Sequence, residues 1–226
     1  MSAGVRLDLH VHSSWSPDGR DDLEHLVAQA TAVGLDGLAL TDHNTVRGHA
    51  ALEELRQRHR NLRLLPGVEV STRDGHLLAY GVRELPPRGL SVEATAEWVV
   101  AHGGVPVLAH PFRWVHGVGA ERGRSVPVPA LEAVNGHTGI RANERAQRLA
   151  QGRRLGTTGG SDAHSGGDVG RAWTIFPEGA ETPDDLLQAI GRGGTVGQGR
   201  GAPPLAQVQL SLRSLLLRTR RGFRAI

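Results

Sequence analysis

Apolar and polar positions along this chain switch between two periods. The stretch "VRLDLHVH", residues 5–12, alternates with period two: Leu7, Leu9 and Val11 face one way, and Asp8, His10 and His12 the other. The next segment, "DDLEHLVAQATAVGL", changes to helical spacing and places Leu23, Leu26, Val27, Ala30 and Val33 on one stripe. Acids open this helix, and Gly34 stands at the position where a helix ends in left-handed backbone. The rhythm continues with "DGLALTDH" as a strand, "TVRGHAALEELRQRHR" as a helix, and "LRLLPGVEV" and "GHLLAYGV" as strands. "SVEATAEWVVAHGG" predicts a helix capped by Ser91. "VPVLAH", "ALEAVNG" and "LGTTGGSDAH" predict strands, with the helix "GIRANERAQRLAQG" before the last of them. "RAWTIF" reads as a strand, and "TPDDLLQAIGRGG" as a helix with Thr182 as cap and Pro183 in its first turn. Residues 111–129 are irregular, and the tail after Gly201 mixes period-two alternation with a basic end.

Repeated β–α units predict parallel strands joined by right-handed crossovers, which build either a barrel or a doubly wound sheet. A chain of 226 residues suits one domain over residues 1–200, with 201–226 as an Arg-rich tail packed on it or extending from it. No apolar run approaches the ~20 residues needed to span a bilayer, and the start lacks a basic-then-apolar secretory pattern. These features, with zero Cys, predict a cytoplasmic protein with no membrane partner. The absence of Cys also excludes disulfides and thiolate chemistry. Every counted cation is an Arg, which excludes a P-loop lysine, a Schiff-base lysine and a carbamylated lysine. The net charge of +3 favours an anionic partner only weakly.

The candidate chemistry lies at strand ends. His10 and His12 close the first strand, His43 follows the second in "TDH", Glu69 ends the "PGVEV" strand, His110 follows in "LAHP", and Asp162 and His164 stand in "GSDAH". His76 opens "HLLAYG", and Asp18 lies in the "SPDG" turn. In a parallel barrel the C-terminal strand ends converge on one face, so residues distant in sequence meet there. Side chains at i and i+2 leave the same side of a strand, so His10 and His12 can grip one ion together. Imidazole and carboxylate suit Zn, Mn or Fe. Singly, each residue is as well explained as a turn former, a cap or a surface charge. Their recurrence at matching positions is what points to a metal site. Of the twelve histidines, His25, His49, His59 and His102 fall in or at the end of helical patterns, and His116 and His137 in loops.

The ordered motifs "DLHVHSSWSPDG", "LALTDHN", "PGVEVS", "HLLAYG", "LAHPFR" and "GGSDAH" resemble those of the PHP (polymerase and histidinol phosphatase) superfamily of metal-dependent phosphoesterases. "LEAVNGHT", "NERAQRLA" and "TTGGSDAHS" look like its shorter stand-alone members with a PHP-associated C-terminal region. The resemblance implies a distorted (β/α)7 barrel holding two or three divalent ions (Mn, Zn or Fe). It implies one ion on His10, His12, Glu69 and Asp162, and Glu69 bridging to a second completed by His76 and His110. A third would use Asp18, His43 and His164. Arg113, Asp18 and His164 are then the candidate catalytic residues, and Arg113 and Arg171 the candidate phosphate contacts. The branch that acts on nucleoside bisphosphates carries a helical insertion before its AHP motif. Here the short span between His76 and His110 already supplies a strand, a helix and another strand, so that lid is absent or reduced.

These features predict hydrolysis of a phosphate monoester on a small phosphorylated substrate. A nucleotide or an oligonucleotide end is the alternative substrate. An amidohydrolase-like C–N hydrolase would share the His-x-His strand, but the missing Lys and the presence of "TDH" and "GSDAH" argue against it. A non-catalytic binding module fits poorly with nine filled ligand positions. Aromatics make up only 4% of the chain, too few for a patterned stacking platform, although Arg213, Arg218, Arg220, Arg221 and Arg224 in the tail could touch phosphates.

Overall fold

The computed structural model describes residues 4–203. Its strands are β1 (Arg6–Val11), β2 (Gly37–Leu40), β3 (Arg63–Ser71), β4 (His76–Tyr80), β5 (Val105–Leu108), β6 (Ala130–Asn135), β7 (Gly156–Gly160), β8 (Ala172–Ile175) and β9 (Val196–Gly199). Its helices are α1 (Leu23–Ala32), α2 (His49–Arg58), α3 (Val92–Ala101), α4 (Gly119–Ser125), α5 (Ile140–Arg153) and α6 (Pro183–Gly191). The Arg-rich tail expected from residue 201 lies, beyond Pro203, outside the described residues.

Local chemistry sets the helix ends. Asp22 accepts a hydrogen bond from the His25 amide at the start of α1, and Gly34 follows its end with φ +76°. Ser91 caps α3, and Thr182 and Asp185 form a reciprocal capping box at α6 with Pro183 in its first turn. Helix α2 begins only at His49. Its N-cap Gly48 packs so close to Leu40 and Trp15 that a Cβ there would lie 2.7 Å from the Leu40 side chain. Two elements have no counterpart in the periodicity: α4, inside the stretch expected to be irregular, and the short edge strand β9.

The strands form one mixed sheet in the order β7-β6-β5-β4-β3-β2-β1-β8-β9. The sheet curls until β7 meets β8 and β9. There the Gly159 amide donates to Thr174 Oγ1 over 2.8 Å, and the Gly197 amide to Thr157 Oγ1 over 3.0 Å. The fold is a nearly closed, distorted α/β barrel. An all-parallel arrangement does not hold: β4 pairs antiparallel with both β3 and β5, and β8 runs antiparallel to β1 and β9. The cause lies at residues 72–75, a link too short for the dozen or so residues a crossover needs. It folds instead as a hairpin turn held by Thr72 Oγ1 on the Gly75 carbonyl at 2.6 Å.

Two consequences position the site. Because β4 is reversed, its first residue, His76, reaches the barrel end where the parallel strands finish. In β1 the pairing with β2 shifts register between Asp8 and Val11, so the three apolar residues do not share one face as strict alternation predicts. Leu7 and Leu9 pack with Ala39, Leu65, Leu78 and Tyr80 inside the barrel, whereas Val11 packs with Leu26, Leu38 and Leu52 under α1 and α2. A register shift of this kind re-aims side chains beside a site. A third cluster, including Val68, Val99, Leu131 and Ala146, seats α3 and α5 on the sheet. Among the described residues no helix is long and apolar enough to cross a membrane.

Candidate metal centre

All nine predicted ligand-type residues come together at one end of the barrel, and all but His164 are almost wholly buried. Glu69 stands at the middle. Its Oε1 lies 2.7 Å from His76 Nδ1 and 2.9 Å from His110 Nε2. Its Oε2 lies 3.1 Å from His10 Nε2, 3.3 Å from His12 Nε2 and 3.2 Å from His43 Nδ1. Asp162 Oδ1 is 3.3 Å from His12 Nε2. Asp18 Oδ2 is 3.4 Å from His43 Nε2 and 3.1 Å from His164 Nε2.

These atoms converge more closely than their hydrogen bonding explains. His10 Nε2, both ring nitrogens of His12, and His43 Nδ1 are buried without a well-aligned partner among the described residues. Buried polar atoms are normally satisfied, so a set of orphaned imidazole nitrogens facing carboxylates fits a cation between them. Three groups have donor atoms within one ion's reach of each other: His10, His12, Glu69 and Asp162; His12, Asp18, His43 and His164; and His43, Glu69 and His76. The donors are all nitrogen and oxygen, suited to Zn, Mn or Fe.

Two members of the cluster, His110 and Asp162, take positive φ, 25° and 57°, a backbone region uncommon for non-glycine residues. Charge follows the same geometry. Burial works against ionised Glu69 and Asp162, yet the facing histidines, with Arg113 beside Asp162, hold both well below the usual carboxylate range. Burial would lower His12, but Asp162 and Glu69 raise it to about 10, and His10 is raised likewise by Glu132, Asp162 and Glu69. His76 goes the other way: burial, outweighing the pull of Glu69, lowers it to about 3.

Several contributors were not singled out by the motif pattern. Glu132 in β6 places Oε1 2.9 Å from His10 Nδ1, while its Oε2 accepts from the His110 amide at 2.9 Å and from Asn135 Nδ2 at 3.0 Å. A lone acid inside the apolar run "ALEAVN" was the available signal. Asp42 holds Ser13 through its amide and hydroxyl. Of the loop histidines, His137 is buried, stacks on His164 at 5.3 Å, and with Asp162 and His164 makes a fourth convergent group. His116 stacks on His76 at 4.4 Å. By contrast His49 sits at a helix start on the Gly67 carbonyl, and His102 at a helix end on Trp98, away from the cluster.

The two arginines differ. Arg113 Nη1 reaches Asp162 Oδ2 over 2.7 Å, so its guanidinium borders the cluster. Arg171 instead pairs with Asp168 at 2.9 Å and touches no ligand-type residue among those named above; Asp168 in turn lies 3.8 Å from His137.

Known proteins share both the sequence pattern and the barrel. Residues 8–110 match the family described as the PHP domain, and residues 141–195 the one described as PHP-associated. MJ1587 of Methanocaldococcus jannaschii, a protein without an assigned activity, is 29% identical over 118 residues, covering 48% of this chain and 68% of the relative. The phosphoribosyl 1,2-cyclic phosphate 1,2-diphosphodiesterase of Eggerthella lenta is 41% identical over 86 residues, 35% of this chain and only 32% of that enzyme. In structure, PsfC of Pseudomonas syringae superposes with a TM-score of 0.70 at 21% identity, covering 96% of this chain and 99% of that one. The lesion-specific endonuclease of Pyrococcus furiosus gives 0.65 at 17% identity, covering 94% and 71%. The structural matches share the fold, and the two family matches, residues 8–110 and 141–195, together contain all nine residues of the cluster: the chain belongs to the PHP superfamily.

Proposed function

We propose that this protein hydrolyses a phosphate monoester of a small phosphorylated metabolite or nucleotide at a site of two or three divalent cations. The observation that carries this reading is the division of Glu69: one carboxylate oxygen faces His76 and His110, the other His10, His12 and His43. A single carboxylate shared between two sets of imidazoles is what a bridged pair of ions requires. One ion would be held by His10, His12, Glu69 and Asp162, a second by Glu69, His76 and His110, and a third by Asp18, His43 and His164. When bound, such cations polarise phosphate oxygens and make a water acidic enough to attack at neutral pH.

The chain's own groups do the rest. Arg113, tied to Asp162 through one nitrogen, keeps other N–H donors of its fork for two phosphate oxygens. The Asp18–His164 pair stands at the more open side, where His164 is 17% exposed, close to where a leaving oxygen would collect a proton. Burial of the remaining ligands keeps bulk water from the reacting phosphorus. Arg171, fixed on Asp168, would meet substrate only at the periphery. The matched diphosphodiesterase acts on a phosphorylated sugar, which favours a small substrate.

The test is turnover of p-nitrophenyl phosphate and a panel of phosphomonoesters by the metal-loaded protein, beside amides and lactones. Hydrolysis of the phosphate esters alone, lost on chelation, is expected. Hydrolysis of amides or lactones with no phosphoesterase activity would overturn the reading.

A further inference from the structure

The group formed by His137, Asp162 and His164 has donor atoms within 4.8 Å of one another, yet it suits an ion of its own poorly. His164 Nδ1 donates to the Asp162 carbonyl at 2.7 Å, which leaves only Nε2, 3.1 Å from Asp18, to bind a cation. His137 is therefore the member of that group with no part in the proposed ion sites. Its place is nonetheless fixed from the metal centre. Buried Asn135 accepts from the His137 amide at 3.0 Å and from the Thr138 hydroxyl at 2.9 Å. The same side chain donates through Nδ2 to Asp162 Oδ2 at 3.2 Å and to Glu132 Oε2 at 3.0 Å.

The His137 side chain is only 5% exposed, and its Nε2 is buried with no well-aligned hydrogen-bond partner among the described residues. It faces Asp168 Oδ2 at 3.8 Å. That is too long for a hydrogen bond and suits two groups that bond one third atom between them. Asp168 is held by Arg171 at 2.9 Å and by Ser165 Oγ at 3.2 Å. Burial works against its charge, but His137, Arg171 and Ser165 keep the carboxyl at about 2, so it only accepts. A ring nitrogen facing a carboxylate carries the proton, so Nε2 donates. One donor and one acceptor aimed at the same point fit an uncharged hydroxyl, which accepts from the imidazole and donates to the carboxylate. A phosphate oxygen there would be repelled by Asp168. An ammonium would meet the imidazole N–H, and Arg171 already offsets the Asp168 charge.

We propose that His137 and Asp168 form a hydroxyl-recognition pair, which selects phosphate esters carrying a hydroxyl group close to the scissile ester. This rests on the phosphoesterase reading and narrows it. The pair borders the centre directly: the His137 ring lies nearly parallel to that of His164, 5.3 Å away, and its donor atom is within 4.8 Å of the Asp162 carboxylate. Arg113 bonds that same carboxylate at 2.7 Å, so a phosphate on Arg113 leaves the first carbons of its ester within reach of His137. Arg171 acts through Asp168, as a positioning residue. Because both groups are buried, an ester lacking the hydroxyl leaves them unsatisfied, and sites of that kind discriminate strongly.

The test compares glycerol 1-phosphate with propyl phosphate, which differ only in hydroxyl groups, on metal-loaded wild type, His137→Ala and Asp168→Asn. Wild type should prefer glycerol 1-phosphate in kcat/KM by roughly ten- to a hundredfold, and either substitution should bring the two substrates level. A defect in folding or metal content lowers both substrates together and leaves their ratio, so the ratio separates recognition from a structural role. No preference in wild type, or a preference that neither substitution moves, overturns the proposal. So does a preference for 3-aminopropyl phosphate over both. Calorimetric titration with 2,3-dihydroxypropylphosphonate and propylphosphonate reads the same pair without turnover. Tighter binding of the hydroxylated phosphonate, lost in both variants, by a protein that hydrolyses no phosphate ester would keep the pair and reject the activity. Equal binding of the two phosphonates by wild type, with no kinetic preference, would reject the pair.

Discussion

Glu69 Oε1 lies 2.7 Å from His76 Nδ1 although the two residues sit on strands running in opposite directions. The hairpin that joins β3 to β4 brings the start of β4 to the cluster, and His76 there joins His10, His12, His43 and His110 as the fifth histidine beside Glu69.

Glu69→Gln is therefore expected to be the most damaging single change at the site. It keeps the shape but removes the shared charge, so metal content should fall by at least one ion per chain. The loss in kcat/KM should exceed the roughly 10- to 100-fold typical of an outer partner of a metal ligand. Elemental analysis and steady-state kinetics on one phosphomonoester check this. Near wild-type values would remove Glu69 from the centre.

Glu132 is expected to act through His10. Its carboxylate on Nδ1 fixes the ring so that Nε2 faces Glu69 and Asp162. Glu132→Gln should preserve the fold yet weaken metal affinity about 10- to 100-fold. Raising the metal concentration should recover activity, which a purely structural defect would not allow. Activity that stays low at saturating metal contradicts the assignment.

Metal binding should depend on pH well above the range of a free imidazole, ~6.5. With no ion bound, His10 is raised, and His12 is raised to about 10, against the lowering effect of burial, by the carboxylates around them. His12 therefore holds a proton at neutral pH, and a cation must displace it. Falling pH strengthens the competitor, so apparent affinity for Mn²⁺ or Zn²⁺ should keep climbing from about pH 6 to about pH 9, with protons released on binding. Calorimetry in buffers of different ionisation enthalpy measures that release. A flat affinity above neutrality would contradict it.

Arg113→Ala should lower kcat/KM on phosphomonoesters about ten- to a hundredfold, equivalent to a lost contact of roughly 1.5–3 kcal/mol. Arg113→Lys should recover only part, because an ammonium lacks the planar fork. Unchanged kinetics in Arg113→Ala, with metal content intact, would remove this residue from substrate binding.

Much of this arrangement could be read from residue order. The ligand types at successive strand ends, the caps at Ser91 and Thr182, and the period changes point to a barrel or a doubly wound sheet with a site at the strand ends, and the family resemblance selects the barrel. The direction of β4 could not be read from periodicity, which is the same for parallel and antiparallel strands. Only the shortness of the 72–75 link betrays it. The register shift in β1 was hidden for a similar reason: "VRLDLHVH" alternates perfectly, and the shift comes from pairing with β2. Glu132, on β6, and His137, in the loop after it, escaped because their roles depend on which residues of other strands they meet in space.

Anomalous scattering from crystals of metal-loaded protein tests the central claim most directly. The expected map has two peaks flanking the Glu69 carboxylate, one beside His10, His12 and Asp162 and one beside His76 and His110. Where a third ion binds, its peak falls among Asp18, His43 and His164. A map with no peak at Glu69, or with a single ion held away from it, would contradict the bridged centre on which the proposed hydrolysis depends.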